Sequence, residues 1–448
     1  MKMVSWLLTL CLLSLFIFPH SLQASQVFPY NYKIEELENG LKVVSIPLKN
    51  PDIISYYTIV RSGSRNEIEP GKSGFAHFFE HMMFKGAKTM PREAYDNFLT
   101  RLGAGTNGYT TDDYTCYFVV FAGRDHLEDV VRVEADRFIN LYFDEEMLKT
   151  EAPVIEGEYY SSVSNPFRRL YELLRHTAFE KHSYKHTSLG YLEDIKDMPN
   201  EYEYSQLYKK RFYAPDNTIL LVVGDFDHEE LMTYVRKYYS PWKKSGYQLV
   251  TPTEPPQRKQ KRAHYEWPTK TLPRLAIAFH GPAYSDSKID KAALDLLAEI
   301  YFSRRSPLYQ RLVIDEQICF SLNASFPDRR DPYLLIFTAV LKDEKDLPLV
   351  EKAIFDELTK AKNEPVSEDL LQDIKSNLKY SFLRAMETTD GVAGTLAFYI
   401  NLSADPGTVN RLFKLYEKIS PQDIQEIAKK YFTINNSTVV TLTGGKGK

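Results

Sequence analysis

One stretch decides how this chain is interpreted: residues 73–86, with the sequence SGFAHFFEHMMFKG. Ser73 is a residue type that can cap a helix at its start, and Gly86 is one that can end it. Between them, apolar side chains surround the whole helix axis, which predicts a buried helix. Those side chains are Phe75, Phe78, Phe79, Met82, Met83 and Phe84.

The same helix carries two histidines and a glutamate, His77, His81 and Glu80. Burying such groups is costly unless they have partners, and a metal ion would resolve the conflict. The two histidines are one helical turn apart on one face and can bind one Zn²⁺, with Glu80 placed to act on water at the metal. This is the inverted zincin signature H-x-x-E-H. The competing interpretation is a pair of core histidines beside an unrelated glutamate.

A catalytic zinc needs a third protein ligand, and residues 151–158 offer candidates. Glu151 and Glu158 are seven residues apart, two helical turns on nearly the same face, whereas Glu156 points elsewhere. The spacing alone leaves Glu151 and Glu158 as alternatives.

The segment His77–Gly86 resembles the motif of the pitrilysin/insulinase family, especially the branch that contains the mitochondrial processing peptidase. The resemblance implies that Glu158, which follows His81 by 77 residues, is the third zinc ligand. It also implies that Glu151 supports catalysis from behind the ligands. Further matching segments are Gly105–Thr111, Gly190, Tyr213–Asn217 and Val222–Asp225, and the resemblance covers nearly the whole mature chain.

The resemblance implies two homologous α+β domains that close like a clam around a peptide. In that family the Asn107 position and the backbone beside it line an edge strand that pairs with substrate by β-augmentation. Asn107 and Gly108 are therefore expected to bind substrate, although Asn107 also suits a simple turn. Relatives often carry Ala where this chain has Gly108.

The two halves of the chain share an order of predicted elements. Residues 246–262 combine proline and charge and form the predicted linker between a zinc-binding domain (25–245) and a second domain without a zinc site (263–448). Helices mixed with strand pairs predict an α+β fold. Strands are predicted at residues 41–47, 53–60, 114–122 and 218–224, then at 274–279, 320–326, 333–341 and 437–443, with a helix at 289–302.

The N-terminal 24 residues have the pattern of a secretory signal peptide, with Lys2 before an apolar stretch and a plausible cleavage site at Ala24. The alternative is an uncleaved membrane anchor. Export predicts the periplasm of a Gram-negative bacterium as the location. Cys116 and Cys319 remain after cleavage, and both are expected to be small core residues.

A formal net charge of -4 and the absence of a long basic block argue against nucleic acid as a partner. His176, His182 and His186 lie near one another, but no carboxylate or cysteine completes a second metal site. The sequence thus predicts an exported zinc endopeptidase that cleaves peptides or small unfolded polypeptides. Two rivals are a non-catalytic assembly or chaperone-like subunit on the same fold and a periplasmic zinc carrier.

A partner protein is expected because the second half of the chain departs from the pattern of the resembled family. Active members of the resembled family carry an Arg and a Tyr, seven residues apart, that help to stabilise the transition state. Val313 and Phe320 occupy those positions here, unless the register is shifted toward Arg311. Neither side chain can donate a hydrogen bond, which predicts a heterodimer with a similar-sized sister subunit that lacks H-x-x-E-H and supplies the pair.

Overall fold

The computed structural model describes residues 27–49 and 52–445. The predicted signal peptide, residues 1–24, lies outside these ranges. None of the described helices is long and apolar enough to cross a membrane.

Within the described residues, the first half contains a six-stranded sheet with the order β1-β2-β6-β3-β5-β4. Its strands are β1 (Lys33–Glu36), β2 (Lys42–Pro47), β3 (Ile53–Val60), β4 (Gly105–Thr110), β5 (Thr115–Ala122) and β6 (Thr218–Gly224). Its helices are α1 (Phe75–Met83), α2 (Arg92–Leu102), α3 (Leu127–Ile139), α4 (Glu145–Val163), α5 (Pro166–Ala178), α6 (Leu192–Asp197), α7 (Tyr202–Phe212) and α8 (His228–Tyr239).

The second half contains, among its described residues, a five-stranded sheet with the order β7-β11-β8-β10-β9. Its strands are β7 (Lys261–Trp267), β8 (Arg274–His280), β9 (Cys319–Ser325), β10 (Leu334–Leu341) and β11 (Ser437–Gly444). Its helices are α9 (Ile289–Phe302), α10 (Pro307–Tyr309), α11 (Leu347–Asn363), α12 (Glu368–Ala385), α13 (Thr389–Ser403), α14 (Thr408–Lys418) and α15 (Pro421–Tyr431), with a π-helical turn at Gln310–Asp315.

The two sheets repeat one topology. If β1 is set aside, β2-β6-β3-β5-β4 matches β7-β11-β8-β10-β9 strand for strand. The parallel pairing of β2 with β6 recurs between β7 and β11, while the other pairs in both sheets are antiparallel. This confirms the predicted α+β class with a repeated plan. The predicted domain boundaries stay a prediction, although strand β7 begins at Lys261, inside the predicted linker.

The halves exchange helices. Helix α5 of the first half packs on strands β7, β8 and β11, and helix α13 of the second half packs on β3 and β6. In β8, Leu275 and Ile277 belong to one core and Ala276 and Ala278 to another, because alternate side chains point to opposite faces. Each sheet is therefore covered on both faces, on one of them by a helix from the other half.

The two cysteines among the described residues are buried free thiols, as predicted for them. Cys116 lies in β5, and Cys319 is the first residue of β9.

The helix exchange predicts cooperative unfolding. Leu174 of α5 is fully buried in a cluster whose other members come mostly from the second sheet. Leu174→Ala should lower the free energy of unfolding by about 2–5 kcal/mol and shift one calorimetric transition of the whole chain. Leu207→Ala, at a 39% exposed position on α7, is the control and should shift it little. Two separate transitions, of which only one moves, would contradict the exchange as the source of cooperativity.

Candidate metal centre

Helix α1 begins differently from the prediction. Its N-cap is Gly74, with a left-handed φ of 91°, and the Glu67 carboxylate accepts hydrogen bonds from the Gly74 amide (2.8 Å) and the Ala76 amide (2.7 Å). Ser73 instead donates to Asp194 and is not the helix cap, so that prediction was wrong. A side chain at position 74 would collide with the Leu189 carbonyl, 2.7 Å from an ideal Cβ. Glycine is thus required there by both conformation and space.

The apolar side chains of α1 are buried as predicted, and the helix ends at Met83, three residues before Gly86. This packing holds His77 and His81 on one face, with ring centroids 4.7 Å apart. Helix α4 runs alongside and contributes Glu158.

Three groups converge between the two helices. The Nε2 atom of His77 is 3.4 Å from Oε2 of Glu158, and the Nε2 atom of His81 is 3.5 Å from the same oxygen. All three candidate ligand atoms lie within 4.8 Å of one another. Zinc bonds of about 2.0–2.1 Å in a tetrahedron place neighbouring ligand atoms roughly 3.3–3.5 Å apart, so these residues fit a zinc ion. The Glu158 side chain is 45% exposed, which leaves the site open on one side.

Glu151 lies behind this group rather than within it. Its Oε1 atom is 2.8 Å from Nδ1 of His81, and its other oxygen forms an ion pair with Lys85. A carboxylate on Nδ1 orients the ring so that Nε2 faces Glu158, an arrangement usual behind metal-binding histidines. The hydrogen bond from His81, with the Lys85 charge, lowers the pKa of Glu151 to about 2 against the opposing effect of burial.

Glu80 is the remaining ionisable residue of this face. Thr110 Oγ1, at the end of strand β4, donates to Oε2 of Glu80 over 2.6 Å. Burial raises the pKa of Glu80, partly offset by the hydrogen bonds from Thr110 and the charge of His81. Burial also lowers the pKa of His77 to about 4, and His81 adds to that effect. His77 is therefore neutral near pH 7, the form in which imidazole binds a metal.

Asn107 and Gly108 lie in β4, one of the two edge strands of the first sheet among the described residues. Asn107 is exposed, and its side-chain oxygen accepts a hydrogen bond from the Gly108 amide. A Cβ at position 108 would lie 3.1 Å from the ring of Phe84 and 3.2 Å from that of Tyr117, so alanine there would need small shifts. Among residues 27–49 and 52–445, strand β4 pairs only with β5, so its other edge can accept a peptide strand.

Sequence reasoning missed the side chains that support the site: Glu67, Lys85 and Thr110. Each contact joins residues at least seven positions apart along the chain, and only the fold shows it. Lys85 lies within the segment 73–86, but its position one turn after His81 does not reveal that it pairs with Glu151. His182 and His186 do not form a site together: His182 contacts Asp331, and His186 lies near Glu67.

Two family models match the chain. The model of the insulinase family (peptidase family M16) matches residues 42–190. The model of the peptidase M16 inactive domain matches residues 202–378. The first contains all the residues of the candidate metal centre.

Similar proteins include zinc proteases. The zinc protease PqqE of Helicobacter pylori is 28% identical over 440 residues, which cover 94% of this chain and 95% of that protein. The probable β subunit of the mitochondrial processing peptidase of Arabidopsis thaliana is 25% identical over 412 residues, 89% of this chain and 76% of that protein. The crystal structure of a protease from H. pylori superposes with a TM-score of 0.85 at 27% identity, covering 92% of this chain and all of that chain.

The geometry predicts one Zn²⁺ per chain, measured by elemental analysis after zinc addition and dialysis. His81→Ala and Glu158→Gln should each lose the metal, because two remaining ligands do not hold a defined zinc. Glu156→Gln, on the same helix but outside the cluster, is the matched control and should retain it. Zinc retained by Glu158→Gln but lost by Glu151→Gln would contradict the ligand assignment.

Proposed function

This chain belongs to the insulinase family, peptidase family M16, and we propose that it is a zinc-dependent endopeptidase whose metal is held by His77, His81 and Glu158. The observation that carries this proposal is the convergence of those three ligand atoms beside a buried glutamate, Glu80. The names of similar zinc proteases support it.

The residues around the three candidate ligands have different roles in peptide hydrolysis. A zinc ion here would supply Lewis-acid stabilisation of the developing oxyanion and lower the pKa of the attacking water. Glu80 accepts a proton from that water and passes it to the departing amide nitrogen. Thr110 holds the Glu80 carboxylate in place, and Glu151 orients His81.

Substrates of this site are extended peptides or small unfolded polypeptides. The free edge of β4, at Asn107 and Gly108, offers main-chain hydrogen bonds to such a strand with little dependence on its sequence. We place the protein in the periplasm because of its predicted signal peptide. A periplasmic protease, PqqL of Escherichia coli, shares the fold at a TM-score of 0.76 and 20% identity.

The proposed enzyme acts together with a sister subunit. Phe320 at the start of β9 is 54% exposed, and Val313 lies in the π-helical turn before it. Neither can stabilise an oxyanion, so a second chain is needed to bring hydrogen-bond donors to the site. The structural match to PqqL covers 93% of this chain but only 48% of PqqL. A protein of about twice the length is consistent with a site completed by a second body of similar size.

A second candidate function is a non-catalytic subunit. It is favoured by the match of residues 202–378 to a domain model described as inactive. Subunit 1 of the bovine cytochrome b-c1 complex is also similar, at 26% identity over 265 residues, 59% of this chain and 54% of that protein. The metal-centre residues precede the region that matches the inactive model.

Glu80→Gln separates binding from catalysis. The amide keeps the size of the side chain but cannot accept the proton, so peptide hydrolysis should fall about 100-fold or more while zinc content stays unchanged. Glu156→Gln is the matched control and should keep wild-type turnover. For Glu151→Gln we expect a loss of roughly 10- to 100-fold with most metal retained. If Glu80→Gln matches the wild type on a peptide that the wild type cleaves, the assignment of the base is wrong.

The need for a partner is tested by assaying the purified chain alone and after addition of a candidate sister subunit. The isolated chain should cleave unstructured peptides weakly or not at all, and the sister should raise kcat about 100-fold or more, as expected for oxyanion donors. A Val313→Arg, Phe320→Tyr double variant should recover part of this gain without the sister. Full activity from the wild-type chain alone would refute the requirement.

A further inference from the structure

The turn that joins β4 to β5 is anchored far more heavily than a surface hairpin needs. Thr110, which holds Glu80, is the last residue of β4 and pairs with Thr115 across the ladder. Residues 111–113 follow directly. The placement of this turn therefore sets where the Thr110 hydroxyl stands relative to the Glu80 carboxylate.

Asp112 is the most strongly held residue of the turn. Its Oδ1 accepts from Nη2 of Arg175 at 2.8 Å and from the Ser64 hydroxyl at 3.1 Å. Its Oδ2 accepts from Nε of Arg329 at 2.8 Å, and Nη2 of Arg329 also lies 2.8 Å from it. Asp112 is 5% exposed, and two guanidinium groups hold its pKa well below the usual range despite burial.

The two guanidinium groups come from different halves of the chain. Arg175 lies on α5, the exchanged helix, and Arg329 lies in the loop between β9 and β10 of the second sheet. The same loop donates the Arg330 amide to Asp113 at 2.9 Å.

The backbone of the turn is held as closely as its side chains. The Arg65 amide donates to the Asp112 carbonyl at 2.8 Å. An ideal Cβ at Gly63 would lie 2.4 Å from the Thr111 carbonyl oxygen, so the loop before α1 approaches the turn as closely as glycine allows.

We propose that Asp112, clamped by Arg175 and Arg329, is a positioning residue that fixes Thr110 and, through it, the proton-accepting carboxylate of Glu80. This rests on the proposed peptidase function. It gives the second half of the chain a part in orienting the catalytic base, although the three candidate metal ligands belong to the first half. A small displacement of a reacting group can lower the reaction rate about 100-fold, so a clamp that fixes the position of Glu80 can have a large effect on kcat.

A matched pair of isosteric variants tests the proposal. Asp112→Asn removes the charge that faces both arginines. Asp331→Asn removes an equivalent charge from the same inter-half region, where the Asp331 carboxylate pairs with the side chains of Arg65 and His182 rather than with residues 110–113. Asp112→Asn should lower kcat about 10- to 100-fold, with KM within about twofold of wild type and zinc content unchanged. Asp331→Asn should stay within about threefold of wild-type kcat.

Variants of Arg329 test the other partner of this ion pair and whether a restored charge recovers activity. Arg329→Met should lower kcat as Asp112→Asn does, and Arg329→Lys, which restores a positive charge, should recover part of the loss. If Asp112→Asn and Asp331→Asn lower kcat equally, the charged residues between the two halves only stabilise the fold, and the proposal is wrong. A higher KM with unchanged kcat would show instead that Asp112 and Arg329 act on substrate binding, which also overturns it.

A readout independent of activity is hydrogen–deuterium exchange of residues 105–115 in the full chain. Asp112→Asn should speed exchange there, and Asp331→Asn should not. Equal exchange in wild type and Asp112→Asn would overturn the clamp. If the wild type cleaves no peptide, the proposed function fails, while this measurement still decides whether Asp112 anchors the turn.

Discussion

Helix α1 lies in an apolar core, yet one of its faces carries two imidazoles and a carboxylate with limited access to water. Charged groups in such surroundings are strongly destabilising unless opposite charge or hydrogen bonds compensate them. The protein supplies that compensation in layers. Glu158 and Glu151 lie on the two nitrogen atoms of His81, Lys85 pairs with Glu151, and Thr110 binds Glu80. A divalent cation between His77, His81 and Glu158 would compensate the three ligand atoms that converge there.

The rest of the architecture holds these layers in register. Helix α1 is fixed at its start by Glu67 and by the close approach of Gly74 to Leu189, and α4 packs beside it. The hairpin of β4 and β5 brings Thr110 to Glu80. Because α5 and α13 are exchanged between the sheets, the second half contributes to the stability of the whole and also reaches the hairpin through Arg329. The residues of the site thus come from the first half, and the second half contacts the turn next to Thr110.

Much of this arrangement could be predicted from the sequence, because its signals are local. The strands at 53–60 and 218–224 and the helix at 289–302 match the prediction at both ends, since continuous apolar runs and helical periodicity mark them clearly. The candidate ligands and base follow from spacing within helices and from the family resemblance. The strands β1 and β7 were not predicted, because neither contains a buried apolar run: β1 is mostly exposed, and β7 alternates exposed and half-buried residues. Thr110, Lys85 and the Asp112 clamp could not be predicted, because their partners lie 30 to 217 residues away or depend on side-chain direction.

The most direct measurement is anomalous diffraction at the zinc edge from crystals of the zinc-loaded chain. The account predicts one strong peak about 2.0–2.2 Å from Nε2 of His77, Nε2 of His81 and a carboxylate oxygen of Glu158, with Glu151 in contact with His81 and not with the metal. A peak elsewhere, a ligand set that includes Glu151, or no peak at this position in fully loaded protein would contradict it.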